Sequence, residues 1–500
     1  MVNVAVISGG TATNTILDVF QDLSGSEGQT ASVSHILPVS DNGGSTSEII
    51  RVLGGCSVGD LRSRIVRLIP NESQGIRNLL SHRLPSKATD AKLEWGSIVE
   101  GSHELWSDVD PACKEIIRSF LIHVHMEILK RSRNSTKNFR LELASIGNLF
   151  LTGARLFCGS LDSAVELILR VARVSSRLHV IPCLNTNFTF HISALLKDGT
   201  IITGQSQISH PSKLKVNKDS NQPGFSLPIV RSDSLIHPPP IIPSGQASPS
   251  HTYSSFLENV HFTAPADKLG SQAILYGVSS QAKHNQALDS DTEDETEFAV
   301  PSYIHPDLRK SQLHVDKDDT APLPAPIERI FYISPYGEEI YPVAQSRVLQ
   351  CLSNCDVIVY SIGSLMTSII PVLILQGVGE AILENSNKKK ILLLNGTLDR
   401  ETQSLDALGF IKAVHKALVY SMKTSCERRN VTSQSTLSYA SFVTHLVHLA
   451  PSKEIKVDTK EIRELGIDCI GVTPHRDNDT SYDLEDLHAK LQRIVNEESD

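Results

Sequence analysis

Four short apolar runs of this chain end abruptly in glycine and small polar residues, and that pattern constrains the fold more than any other. Residues 2–8 run into Gly9-Gly10-Thr11, and residues 33–39 into Ser40-Asp41-Asn42-Gly43-Gly44-Ser45. Residues 356–360 run into Ser361-Ile362-Gly363-Ser364, and residues 391–395 close on Asn395-Gly396-Thr397. Runs of this length, rich in β-branched residues, read as buried strands. Helical spacing follows the first two. Ile16, Leu17, Val19, Phe20 and Leu23 share one face of a helix predicted over 13–23, and Gly59-Asp60 opens another with Leu61, Ile65 and Leu68 inside. Strands alternating with helices predict a doubly wound α/β fold with a mainly parallel sheet and right-handed crossovers. All four glycine turns then lie along the carboxyl edge, where open α/β sheets bind ligands.

Further along, residues 111–130 and 161–173 show helical patterns, the second capped by Ser160 or Asp162. Residues 188–196 and 200–206 are β-rich and joined by Lys197-Asp198-Gly199, a hairpin signal. A strand is predicted over 327–333, a helix over 402–416, late strands over 442–449 and 467–472, and an acidic closing helix or tail over 476–500. Between about Ser209 and Pro326 the composition shifts to Ser, Pro, Asp and His, including Pro238-Pro239-Pro240 and the acidic run 289–295. Such a stretch cannot bury enough apolar surface to offset the entropy of ordering it. The reading is a largely disordered insertion over 209–326, with a short ordered piece near 256–278. Ser290 and Thr292 sit in a solvated acidic loop that could also be phosphorylated. Residues 1–208 and 327–475 are therefore expected to form one interrupted domain.

Composition closes several alternatives. With 40% hydrophobic and 21% charged residues the chain is ordinary globular material, and a net charge of −9 with a pI near 6.1 lacks the clustered positive charge of a nucleic-acid binder. No stretch reaches the ~18 consecutive apolar residues of a membrane span. The first apolar run is too short for a signal peptide. Eight scattered cysteines outline no disulfide or zinc framework, which suits reduced thiols in the cytoplasm. His123 and His125, two apart on a helix, point to different faces and read as structural.

The chemistry rests on the strand-end loops. Glycine lets a backbone N–H approach a phosphate closely, and a helix starting there adds its positive dipole end. Gly9-Gly10-Thr11 is neither the dinucleotide fingerprint nor the Walker loop, so alone it could be a tight strand–helix connection. Four such loops on one edge point to a nucleotide-like, phosphorylated ligand. Asp41 could hold a magnesium ion or a ribose hydroxyl, or form an Asx-turn with its own backbone. Asp60 stands where a helix N-cap is wanted. Arg62 and Arg64 could meet an anion or simply cover a solvated helix face. No nucleophile elbow or serine–histidine–acid arrangement is legible.

In this order, these loops resemble the 2-phospho-L-lactate transferase (CofD-like) family, which also contains the bacterial gluconeogenesis factor YvcK branch. The resemblance is carried by Gly9-Gly10-Thr11, Asp41-Asn42-Gly43-Gly44-Ser45, Gly59-Asp60-Leu61-Arg62, Gly147-Asn148-Leu149, the hairpin at 196–206, and residues 361–371. It covers roughly residues 1–70, 140–210 and 327–415. It implies a Rossmann-like doubly wound sheet and, in the transferase branch, a magnesium enzyme that moves a phospholactyl group from a guanosine diphosphate carrier to a deazaflavin. The YvcK branch binds UDP-sugars and regulates carbon metabolism without catalysis. By resemblance, Asp41 is the catalytic and metal-binding acid. Gly9, Gly10, Thr11, Asn42, Gly43, Gly44, Ser45, Asp60, Arg62, Asn148, Gly363, Ser364 and Asn395 form the nucleotide or nucleotide-sugar site, and a homodimer is expected. Asn42 replaces the second acid of the family's Asp-Asp pair, which removes one charge from a metal site.

Overall fold

The computed structural model describes residues 2–24, 30–132, 138–210, 322–385, 387–429 and 437–497. In chain order its strands are β1 (Asn3–Ile7), β2 (Ser32–Leu37), β3 (Leu178–Pro182), β4 (His191–Leu196), β5 (Ile201–Thr203), β6 (Ile327–Ile333), β7 (Glu339–Ile340), β8 (Val357–Tyr360), β9 (Lys389–Leu393), β10 (His445–Leu449), β11 (Asp468–Val472), β12 (Pro474–His475) and β13 (Asn478–Tyr482). Seven of them form one sheet in the order β11-β10-β9-β8-β1-β2-β3. Every pairing in it is parallel. Val4, Ala5, Val6 and Ile7 of β1 are all buried, as are all four residues of β8. Helices cover both faces of such a sheet, so its strands read as continuous apolar runs without alternation.

The strand order fixes where a ligand can sit. From β1 the chain steps outward through β2 to β3, then returns to β8 on the other side of β1 and steps outward again through β9, β10 and β11. Winding reverses between β1 and β8. The carboxyl-edge crevice at such a reversal is the binding position of doubly wound folds.

A second, antiparallel sheet runs β5-β4-β6-β7. Its β4–β5 hairpin turns at Gly199, whose φ of 86° suits glycine, with Asp198 Oδ1 accepting the Thr200 amide at 2.9 Å. Ile192 of β4 pairs with Tyr332 of β6, so the chain on either side of residues 211–321 meets in one ladder. The expectations for disorder there, for an ordered piece near 256–278 and for phosphorylation at Ser290 and Thr292 lie outside the described residues.

Several elements differ from the sequence reading. The helix expected over 13–23 is broken at Ile16 into a 3-10 turn, Ala12–Thr15, and a short helix, Leu17–Gln21. Hydroxyls take the hydrogen bonds there: Thr13 Oγ1 donates to Ser361 Oγ and the Ile362 carbonyl, and Thr15 Oγ1 to the Ala12 carbonyl. The helix expected over 402–416 is Ala407–Arg429. Its polar second half was misleading because its hydroxyls face inward, Ser421 accepting from the Gly379 amide and Ser425 from the Gly377 amide. β3, β7 and the β12–β13 hairpin had no clear signal, β3 being punctuated by histidine and proline. Among the described residues no helix is long and apolar enough to cross a membrane.

Candidate functional site

The two loops flanking the winding reversal are in direct contact. Thr13 Oγ1, after β1, lies 3.0 Å from Ser361 Oγ, after β8. A Cβ on Gly9 would stand 2.6 Å from Ser368 Oγ, so any larger residue would push the two loops apart. Gly363 holds a φ of +134°, open only to glycine, and its turn packs on Ala12. Asn395, after β9, grips the Gly363 backbone from both ends: its Oδ1 accepts the Gly363 amide at 3.0 Å and its Nδ2 donates to the Gly363 carbonyl at 2.8 Å.

On the β1–β2 side the site is built from two helix starts. Gly43 caps helix Gly44–Leu53, and helix Gly59–Leu68 begins beside it. Free first-turn N–H groups and the dipole favour an anion at such ends. Gly59 is required for this closeness, since a Cβ there would lie 2.7 Å from Asp41 Oδ2 and 2.9 Å from Thr46 Oγ1. Asp41 forms the Asx-turn weighed above, its Oδ1 accepting the Gly43 amide at 3.0 Å, while Oδ2 faces Gly59. Asp60 is not the N-cap, which is Val58; it is the helix's second residue, and its carboxylate meets Gly10.

The two acids feel each other. Withdrawal from water raises Asp60 to about 7, with the neighbouring Asp41 charge adding to the effect. Asp41 is raised by withdrawal from water too, against the pull of the Gly43 amide, Arg62 and Arg83. Arg62 answers this pair. Its Nε donates to Asn148 Oδ1 at 3.1 Å, while among the described residues its terminal nitrogens make no hydrogen bond. Burial first, and then the charge of Arg83, lowers it to about 10. Asn148 is buried inside helix Ile146–Cys158 and donates to Ser45 Oγ and Thr46 Oγ1 at 3.0 and 3.3 Å, so it orients Arg62 from below.

Several predicted roles shift. Asn42 is committed elsewhere, its Oδ1 accepting the Ser206 amide at 2.9 Å and its Nδ2 packed on Gly204. Thr11 is exposed, and Ser45 is buried under Asn148. Arg64 lies on no solvated face: it is fully buried and donates to the Gly9 carbonyl. Arg83 was missed because it stands alone in sequence. Glu401 was missed too. It is buried, accepts from the Thr367 amide and hydroxyl at 3.1 and 2.7 Å and from Ser209, and is raised to about 7 by burial and then Asp399. An acid five residues beyond a strand-end glycine carries no sequence signal of its own.

The family model for the 2-phospho-L-lactate transferase CofD matches residues 4–473. The chain belongs to that family. The match extends well past the three segments in which the motifs were legible. A protein of Saccharomyces cerevisiae, named only as the uncharacterized protein YNL011C, is 43% identical over 496 residues, covering 98% of this chain and 99% of its own. Two crystal structures of the Bacillus halodurans protein BH3568, one of them described as a UPF0052 family member, share the fold. One has a TM-score of 0.51 at 16% identity, covering 99% of this chain and 98% of that one. The other has 0.53 at 16% identity, covering 99% and 100%.

Proposed function

We propose that this CofD-family chain is a transferase acting on a nucleotide-activated, phosphorus-containing donor bound across the β1–β8 crevice. The observation that carries the reading is the pairing of Asp41 with Asp60, opposite Arg62, at the winding reversal. Asn42 cannot serve as the second acid while it holds the Ser206 amide, and Asp60 supplies that charge from a helix start one crossover away.

The donor set fits a divalent cation such as magnesium, which takes one or two carboxylates and completes its shell with substrate oxygens and water. Asp41 and Asp60 would hold the ion, whose contribution is to neutralise charge on the bridging phosphate. Arg62, steered by Asn148, faces the same anion. In the step itself an acceptor hydroxyl attacks the donor's distal phosphorus and forms a new P–O bond. The bridging P–O bond breaks, the nucleoside monophosphate leaves with the electron pair, and the acceptor's proton passes to solvent. Helix starts at Gly44 and Gly59 stabilise the developing charge without reorganising.

The test is a thermal-shift screen of the full chain against GDP, UDP and their conjugates, with and without magnesium, followed by assay of nucleoside monophosphate release. A ligand at ~100 times its dissociation constant adds about 2.7 kcal/mol, readily seen as a shift. A magnesium-dependent shift with release of monophosphate that Asp41→Asn and Asp60→Asn both abolish supports the transferase. A metal-independent shift with a UDP-sugar and no release supports the non-catalytic regulator of the YvcK type instead.

A further inference from the structure

We infer that Arg64 is a positioning residue which ties the Gly9 carbonyl while Asp60, one helical turn earlier, packs against Gly10, and that together they hold the strand-end loop in its ligand-receiving form. The inference rests on the proposal that this loop receives the donor's phosphate, and it adds a residue outside the contact set.

The geometry begins with a planar trans peptide, whose carbonyl and N–H point in opposite directions. The Gly9 carbonyl accepts from Arg64 Nη2 at 2.9 Å. On the other edge, the Asp60 side chain packs directly on Gly10, so close that a Cβ there would come within 2.3 Å of Asp60 Oδ1 and 2.6 Å of Asp60 Cα. Residues 60 and 64 are four apart in helix Gly59–Leu68 and share a face, so one rigid helix both ties the Gly9 carbonyl and packs on Gly10. Asn14 adds a third tie, its Nδ2 donating to the Gly10 carbonyl at 2.7 Å and to Ser63 Oγ, on the same helix, at 3.1 Å.

Arg64 is itself locked. It is fully buried, with Nη2 also donating to Ser8 Oγ at 3.2 Å and Nη1 facing His35 Nδ1 at 3.2 Å. Burial and the Arg64 charge keep His35 neutral, so Nδ1 is free to accept. A buried guanidinium is costly unless nearly every donor is used. This one keeps three contacts, to a loop carbonyl, a strand-end hydroxyl and a histidine of the adjacent strand, while its Nε has no hydrogen-bond partner among the described residues, and the nearby Asp60 charge offsets part of that cost. A lysine could reach the carbonyl but not all three acceptors, because the fork is lost.

The experiment uses the full chain with Arg64→Met, Arg64→Lys and, as a control on the same helix, the exposed Arg67→Ala. Hydrogen exchange is followed in peptides covering residues 8–14 and, as a global reference, β9 and β10, alongside titration with GDP and magnesium. Arg64→Met should speed exchange at 8–14 while β9 and β10 stay protected, and should weaken GDP binding roughly tenfold. Arg64→Lys should recover part of both losses, and Arg67→Ala should match wild type. Unchanged exchange at 8–14 in Arg64→Met overturns the clamp, as does undiminished GDP affinity with a loosened loop. Should Arg64→Met not fold, the lysine variant decides by the same two readings. If the wild type binds no GDP, the donor reading fails, and exchange alone judges the clamp.

Discussion

The two halves of the crevice are built on opposite principles. The β1–β2 half is charged: two carboxylates, the half-buried Arg62 beside them and Arg64 beneath, held by a helix that starts at Gly59. The β8–β9 half carries no cation in its first loop and is tied by amide and hydroxyl contacts, Asn395 on Gly363 and Glu401 on Thr367. On the proposed reading, charge beside the donor would do the chemical work, whereas neutral hydrogen bonds fix distances. The division assigns chemistry to the first half and positioning to the second, and substitutions can break or sharpen it.

The largest effect belongs to Asp41. Asp41→Asn keeps an acceptor for the Gly43 amide and the volume, but removes the charge. Turnover should fall by on the order of 10²–10³ with little change in melting temperature. Equal loss of stability and activity would mean the charge serves the fold. Next comes Gly10→Ala, whose methyl would meet both the Asp60 carboxylate and its backbone, 2.3 and 2.6 Å away. Overpacking of this kind costs ~1–3 kcal/mol, and the melting temperature and magnesium dependence should drop together. A variant with normal stability and metal response would show that the loop and the Asp60 helix are less tightly joined than the contact distances imply.

In the second half, Asn395→Ala leaves both backbone groups of Gly363 without their partner. A loss of ~1–3 kcal/mol in stability is expected. If the half is only positional, KM for the donor should rise while kcat stays near wild type; a collapse of kcat would erase the division between the halves.

Much of this was legible, and the reasons are particular. Buried parallel strands write themselves as apolar runs, and loops at their ends need glycine, so β1, β2, β8 and β9 and their turns could be read directly. Asp41 stood out because it directly follows a strand. Asp60 was visible, but its task was not: a helix-start acid looks like a cap until the Gly10 loop is seen against it. Arg64 looked solvated because three arginines sit within six residues of one another, and only the fold shows that 62 and 64 turn inward while 67 stays out. Glu401 depends on partners 34 and 192 residues away, which no local pattern encodes.

The smallest effect sharpens the comparison most finely, because it asks whether the buried Glu401 of the second half acts as a charge. Glu401 is raised to about 7 by burial and then by Asp399, so the folded state binds a proton there that the unfolded chain has released above its ordinary value near 4.5. A folded-state pKa above the unfolded one gives stability that is fully present below about 4.5 and is lost as pH rises through about 7. The wild type should therefore lose melting temperature between pH 5 and pH 8 through this residue, and Glu401→Gln, unable to ionise, should flatten that slope. Asp60, raised in the same direction, contributes its own fall over the same range and remains in both proteins, so the difference between the two curves isolates Glu401. Parallel curves would mean that the Thr367 and Ser209 donors hold Glu401 as an ordinary carboxylate, and the second half would then carry a charge like the first.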